Sequence, residues 1–211
     1  MNLLFDLDGT LTDSFVGITA SIRYALTQLE RSVPPPGDLR WCIGPPLKES
    51  FKRLLDNDAK MAESALAHYR ARFGSVGLFE NVVYDDIPET LAALKEDGHT
   101  LYVATAKPRV FARRIIDYFG LRRYFNSIFG SELDGTRSAK RDLIAHILDR
   151  QALSTSETVM IGDRGDDMAG ARHNGVTGCG VLWGYGSRAE LEDAGARYCI
   201  AEPAELPSIF R

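Results

Sequence analysis

The sequence predicts an α/β protein: a parallel sheet covered by helices, with an all-helical domain inserted after the first strand. Three observations carry this. Short apolar runs alternate with amphipathic segments along most of the chain. One long stretch has helical spacing and no strand. Two of the apolar runs end in acidic residues, at the position where open α/β sheets bind ligands.

The runs Asn2–Phe5, Thr100–Thr105, Asn126–Phe129, Thr158–Ile161 and Gly178–Trp183 have the length of buried strands, and Arg197–Ile200 is a weaker sixth. Between them lie helical patterns. Ile87–Glu96 sets Leu91 and Leu94 on one face and stops at Gly98. Val110–Phe119 stops at Gly120. Ala139–Arg150 carries Leu143, Ile147 and Leu148, and Asp167–His173 runs into Asn174-Gly175. A glycine just past a helical run is a stop signal, because it accepts the left-handed conformation that ends a helix. Strands alternating with helices imply βαβ units and a sheet buried on both faces.

From about Phe15 to about Phe79 the alternation breaks. Phe15–Glu30 places Ile18, Ile22, Ala25, Leu26 and Leu29 on one side, and Pro34-Pro35-Pro36-Gly37 then forces a loop. Leu47–Leu55 and Ala59–Phe73 read as two more helices. A simple crossover needs far less chain, so residues 15–79 are expected to form a helical cap, with residues 1–14 and 80–211 forming the core. The plainer alternative is one elaborate crossover packed on the core.

The 211 residues are 45% hydrophobic, enough for a substantial core, and carry a net charge of −4. That balance argues against a nucleic-acid polymer or a membrane surface as partner, while leaving single nucleotides as possible substrates. Cys42, Cys179 and Cys199 are scattered, without a CxxC pair or histidine cluster, so free thiols in a reducing compartment are expected. The opening Met-Asn-Leu-Leu-Phe-Asp lacks a basic stretch and a long apolar run, and no segment suits a membrane span. A cytoplasmic location is the resulting expectation.

The most informative stretch is Phe5-Asp6-Leu7-Asp8-Gly9-Thr10. If the strand stays extended, Asp6 and Asp8 point to the same side at its carboxyl end. Two convergent carboxylates are costly unless a cation sits between them or they share a proton. A hard divalent ion with oxygen ligands suits such a site. A turn-capping pair is the plainer reading. An EF-hand loop is excluded, since Leu11 and Phe15 offer no side-chain oxygen. A second apolar run, Thr158–Ile161, leads into Gly162-Asp163-Arg164-Gly165-Asp166-Asp167. Asp163 stands where Asp6 stands, before the turn, and is the better metal ligand. Asp166 complements the dipole of the next helix. Thr105, ending a third run, has a hydroxyl suited to a phosphate oxygen, though alone it is an ordinary strand residue. Lys140 falls in a helix's first turn, where a cation opposes the dipole. It is either solvated or reaching for an anion.

In that order, Asp6-Leu-Asp8-Gly-Thr, Thr105, Lys140 and Gly162-Asp163-x-x-x-Asp167 resemble the haloacid dehalogenase superfamily of phosphatases over nearly the whole chain. The resemblance implies a modified Rossmann core with a helical cap that selects the substrate. It implies Asp6 as nucleophile, forming an aspartyl-phosphate, and Asp8 as the acid that protonates the leaving alcohol and then the base for the attacking water. It implies Mg²⁺ held by Asp6, the Asp8 carbonyl and Asp163, with Asp167 supporting through water or Lys140. Thr105, the Ala106 N–H and Lys140 would bind the phosphoryl oxygens. Within the family, dehalogenases lack the second aspartate and transport ATPases carry Thr there, so Asp8 points to a phosphatase or phosphomutase.

The segments Ile43-Gly44-Pro45-Pro46-Leu47-Lys48-Glu49-Ser50-Phe51 and Tyr84-Asp85-Asp86-Ile87-Pro88-Glu89-Thr90-Leu91 resemble phosphoglycolate-phosphatase-like proteins and relatives labelled 5′-nucleotidases, and the first tilts toward the nucleotidases. A phosphomutase like β-phosphoglucomutase and an idle core used as a binding module are the alternatives. Arg40, Lys48 and Arg53 are cap cations able to meet a second substrate charge, or simply solvated. Trp41 and Trp183 either stack on a base or pack in the core. The expected partner is a small phosphorylated metabolite or nucleotide, and the expected state a monomer or homodimer.

Overall fold

The computed structural model describes residues 1–210. Six parallel strands form the sheet: β1 (Asn2–Phe5), β4 (Thr100–Pro108), β5 (Ser127–Ser131), β6 (Thr158–Gly162), β7 (Thr177–Val181) and β8 (Tyr198–Ile200). Their order is β5-β4-β1-β6-β7-β8. Register is uniform at the centre, with Leu4 opposite Tyr102 on one side and Met160 on the other. Alternation along β1 explains why both faces are covered. Leu3 and Phe5 enter one apolar cluster, while Leu4 enters a second with Leu143, Ile144 and Ile147. This is the expected α/β fold.

The core helices are α4 (Ile87–Glu96), α5 (Arg109–Tyr118), α6 (Lys140–Gln151) and α7 (Gly165–His173). Two more, α8 (Arg188–Ala194) and α9 (Leu206–Ile209), are not visible as periodic patterns. Only Leu191 is buried in α8, which is set instead by its ends: the Ser187 side chain accepts from Glu190 N, and Gly195 closes the helix in the left-handed conformation.

Residues 15–79 contain α1 (Phe15–Gln28), α2 (Leu47–Leu54), α3 (Ala59–Arg72) and a 3₁₀ segment at Pro36–Cys42, and α3 continues through a wider turn at Phe73–Gly77. Asp58 starts α3 by accepting from the N–H groups of Lys60 and Met61, both at 2.9 Å. Gly17 and Gly77 let α1 and this turn touch: a Cβ on Gly17 would lie 2.1 Å from the Gly77 carbonyl oxygen. Ile18, Ile22, Phe51, Tyr69 and Phe73 join the same apolar cluster as Leu3 and Phe5. At the base, β2 (Thr12–Asp13) and β3 (Val82–Val83) pair antiparallel where the chain leaves the sheet and where it returns. Two residues per strand carry no readable alternation, so this pair is invisible in the sequence.

Candidate active site

β1 and β6 are neighbours whose following connections depart in opposite directions, β1 toward β4 and β6 toward β7. This is the switch point at which open sheets form a crevice. Asp6 extends β1 by one residue, its N–H donating to the Ile161 carbonyl at 2.9 Å. Asp163 directly follows β6. Asp167 lies in the first turn of α7, and Lys140 begins α6. All four are buried. Carboxylate oxygens of Asp6, Asp163 and Asp167 lie within 4.8 Å of one another.

Lys140 Nζ is 2.8 Å from Asp6 Oδ1 and 2.7 Å from Asp167 Oδ1. Its aligned hydrogen bond goes to the Ala104 carbonyl at 2.6 Å. The two carboxylate oxygens are thus paired by charge, yet neither accepts an aligned hydrogen bond. Lys140 is 6% exposed, so the solvated alternative is corrected: its cation in a helix's first turn is held by buried anions. Burial works against that charge, but Asp167 and Asp6 outweigh it and raise its pKa. Asp163 is pushed well above the usual carboxylate range by burial, then by Asp167 and Asp6. Burial likewise raises Asp167 to about 7 against the pull of Lys140. Three crowded carboxylates with one cation and two unsatisfied oxygens form a donor set that suits a hard divalent ion.

Asp8 has a different partner. The chain turns after Asp6, with the N–H groups of Thr10, Leu11 and Thr12 all donating to the Leu7 carbonyl. The Asp8 carboxylate is not one of the three clustered carboxylates and pairs with Lys107, Nζ to Oδ1 2.7 Å, both side chains under 10% exposed. Lys107 reaches there through an irregularity in β4. Thr105 pairs with Gly130 but Pro108 with Ser131, so Ala106 and Lys107 bulge. Gly130 permits this, since a Cβ there would sit 2.5 Å from the Lys107 carbonyl oxygen. Thr105 is buried, and its hydroxyl accepts from Lys107 N at 3.2 Å.

Asp8, Ala106 and Lys107 open onto a cavity of about 360 Å³ between the sheet and the helical segment. The Gly44-Pro45-Pro46-Leu47 stretch lines its far side, with Tyr69 and Phe73. Of the anticipated cations only Lys48 lines it. Arg40 donates to the Gly184 carbonyl (3.1 Å), and Arg53 lies over the Trp41 ring. Trp183 donates to the Thr10 carbonyl at 3.0 Å, and neither tryptophan faces the cavity.

Sequence reasoning missed the loop after β7. Tyr185 N donates to Asp163 Oδ2 (2.8 Å), and its hydroxyl donates to Asp13 Oδ1 (2.7 Å) while accepting from Ser14 N (3.0 Å). Thr10 Oγ1 donates to Asp163 Oδ1 at 3.2 Å. Arg164 donates to the Ile43 carbonyl and, through Nε, to Glu190 at 2.9 Å. Gly184-Tyr185-Gly186 was the available signal, because glycines flanking an aromatic mark a close backbone approach. A Cβ on Gly184 would lie 2.4 Å from Asp163 Cβ. The cysteines are free, and burial pushes the Cys42 thiol up to about 11.

Comparison with known proteins agrees with this geometry. The sequence model of the haloacid dehalogenase-like hydrolases matches residues 3–181. A 5′-nucleotidase of Pseudomonas aeruginosa is 49% identical over 209 residues, covering 99% of this chain and 95% of that protein. The tyrosine-protein kinase PtkA of Mycobacterium tuberculosis is 38% identical over 98% of this chain and 70% of its own length. The crystal structure of a predicted phosphatase from Clostridium acetobutylicum superposes with a TM-score of 0.95 at 43% identity, covering 99% of this chain and 96% of that one. With buried carboxylates at the switch point, a cavity lined by Asp8 and full-length relatives of this kind, the chain belongs to the haloacid dehalogenase-like hydrolases, as a phosphatase of that family.

Proposed function

We propose that the protein hydrolyses small phosphate monoesters with Mg²⁺, through a phosphoryl group carried on Asp6, and that nucleoside 5′-monophosphates are its substrates. One observation carries the reading: Asp6, Asp163 and Asp167 are buried together around Lys140 at the switch point, and Asp8, two residues on, lines the cavity.

Asp6 attacks phosphorus, and the bond to the ester oxygen breaks as the Asp6–phosphoryl bond forms. Asp8 gives that oxygen its proton, then takes one from the water that attacks the aspartyl-phosphate and releases inorganic phosphate. Lys140, Thr105 and the Ala106 N–H hold the phosphoryl oxygens, where fixed positive charge lowers the barrier. Asp6, Asp163 and the Asp8 carbonyl would hold Mg²⁺, with Asp167 in support; the ion supplies charge neutralisation at the phosphoryl group. Residues 15–79 act as the cap that selects the alcohol, over a core of residues 1–14 and 80–211. The cavity falls in the range of small-molecule sites, about 300–1,000 Å³, which supports a small ester as substrate. Similarity to a 5′-nucleotidase favours the nucleotide reading.

The test is phosphate release from AMP, 2-phosphoglycolate and p-nitrophenyl phosphate. Turnover is expected to need Mg²⁺, stop with EDTA and vanish in Asp6→Asn. Full activity of Asp6→Asn, or no turnover of any ester, refutes the reading.

A further inference from the structure

Lys107 has no part in the reaction as described, yet it is a buried cation that lines the cavity. Its ammonium group has three N–H donors and one carboxylate partner, Asp8 Oδ1 at 2.7 Å. A second contact is to an aromatic face: Nζ lies 4.5 Å from the centroid of Phe73, which belongs to the helical segment and stacks on Tyr69 at 5.2 Å. The ring holds the cation without using a donor. The bulge at Ala106-Lys107 aims the side chain here, and the Thr105 hydroxyl and Ser131 Oγ, the latter donating to the Ala106 carbonyl at 2.8 Å, fix the turn. Among the described residues no hydrogen bond engages its other donors, and Lys107 lines the cavity next to the carboxylate proposed to serve the leaving alcohol.

We propose that Lys107 is a specificity-determining residue that binds an oxygen of the leaving group, selecting phosphate esters with an acceptor close to the ester carbon over plain alkyl or aryl esters. This rests on the phosphatase reading and deepens it. A carboxylate, a sugar hydroxyl or a ribose ring oxygen all supply such an acceptor, within a few ångströms of the ester oxygen that Asp8 protonates. Phe73 makes the contact depend on the helical segment being in place.

The experiment measures kcat/KM of the full chain on AMP and 2-phosphoglycolate, which carry the acceptor, and on propyl phosphate and p-nitrophenyl phosphate, which do not. Wild type is expected to prefer the best acceptor-bearing ester by at least about tenfold, the value of one hydrogen bond to a charged group. Lys107→Met should bring that ratio close to one. Lys107→Arg covers a failure of the first variant to fold, since it keeps a charge against Asp8. Its longer planar head displaces the donor and lowers the ratio as well. A wild type without preference, or an unchanged ratio in whichever variant folds, overturns the assignment while leaving the phosphatase reading intact. Absence of turnover on all four esters refutes that reading itself.

Discussion

Without a divalent ion, the buried carboxylates should make the protein less stable as pH rises toward neutrality. Asp167 is fully buried, and its pKa is raised from 3.8 to about 7. Below pH 3.8 both folded and unfolded chains hold the proton, and the residue costs nothing. Between 3.8 and 7 the unfolded chain releases the proton while the folded one keeps it. Stability therefore falls with pH across that window and levels off above it. A shift of that size corresponds to about 4 kcal/mol at most, at roughly 1.4 kcal/mol per pH unit. Asp163, raised for the same reasons, pulls in the same direction. In a chain of this length that is a fall in Tm of roughly 8–16 °C, at about 2–4 °C per kcal/mol. A cation bound by the carboxylates opposes it, adding about 2.7 kcal/mol at a hundred times its Kd. The assay is a set of thermal melts from pH 5 to 8 in EDTA and in MgCl₂, reading the difference between the two so that other titrating groups cancel. The gap should widen up to about pH 7 and shrink in Asp167→Asn, which keeps the oxygen that accepts from Arg164 N at 3.1 Å. A gap that is constant with pH, or as wide in the variant, refutes the electrostatic account.

Lys140→Met leaves Asp6 and Asp167 without their cation, and urea unfolding in EDTA should show a loss of about 3–5 kcal/mol, as for other broken buried ion pairs. Gly184→Ala drives a Cβ to 2.3 Å from the Gly9 carbonyl oxygen, so it should cost about 1–3 kcal/mol in the same measurement and weaken Mg²⁺ binding by calorimetry. Tyr185→Phe removes the hydroxyl that serves Asp13 and Ser14, and should cost about 1–3 kcal/mol in urea. Its Mg²⁺ affinity should stay near wild type, because Asp163 is held by the backbone N–H.

The core was legible because each βα unit carries its own local signal. Leu3 and Leu4 mark a strand buried on both faces, and Gly98 and Gly120 close their helices with φ of +84° and +67°. The candidate site was legible where chemistry sits at a strand end, as with Asp6 and Asp163. It failed where the backbone leaves regular geometry. Alternation along β1 did not foresee the turn onto the Leu7 carbonyl or Lys107 as the partner of Asp8. Lys107 reads as the tail of a strand, and only the slip of pairing between β4 and β5 turns it inward. Tyr185 lies far along the chain from Asp13, and no local pattern encodes a contact across that separation.

The short β2–β3 pair has an architectural consequence. Because Thr12 faces Val83 and Asp13 faces Val82, the two ends of the helical segment lie side by side, about 5 Å apart as antiparallel partners are. A tight link of a few residues would rejoin the sheet with almost no loop entropy, so chain topology permits this segment to be exchanged between relatives like a cassette. Packing sets the terms of the exchange. Phe51, Tyr69 and Phe73 share one apolar cluster with Phe5 and Leu11, so simple excision would lay that cluster open to water, and any replacement must bring an apolar face of its own.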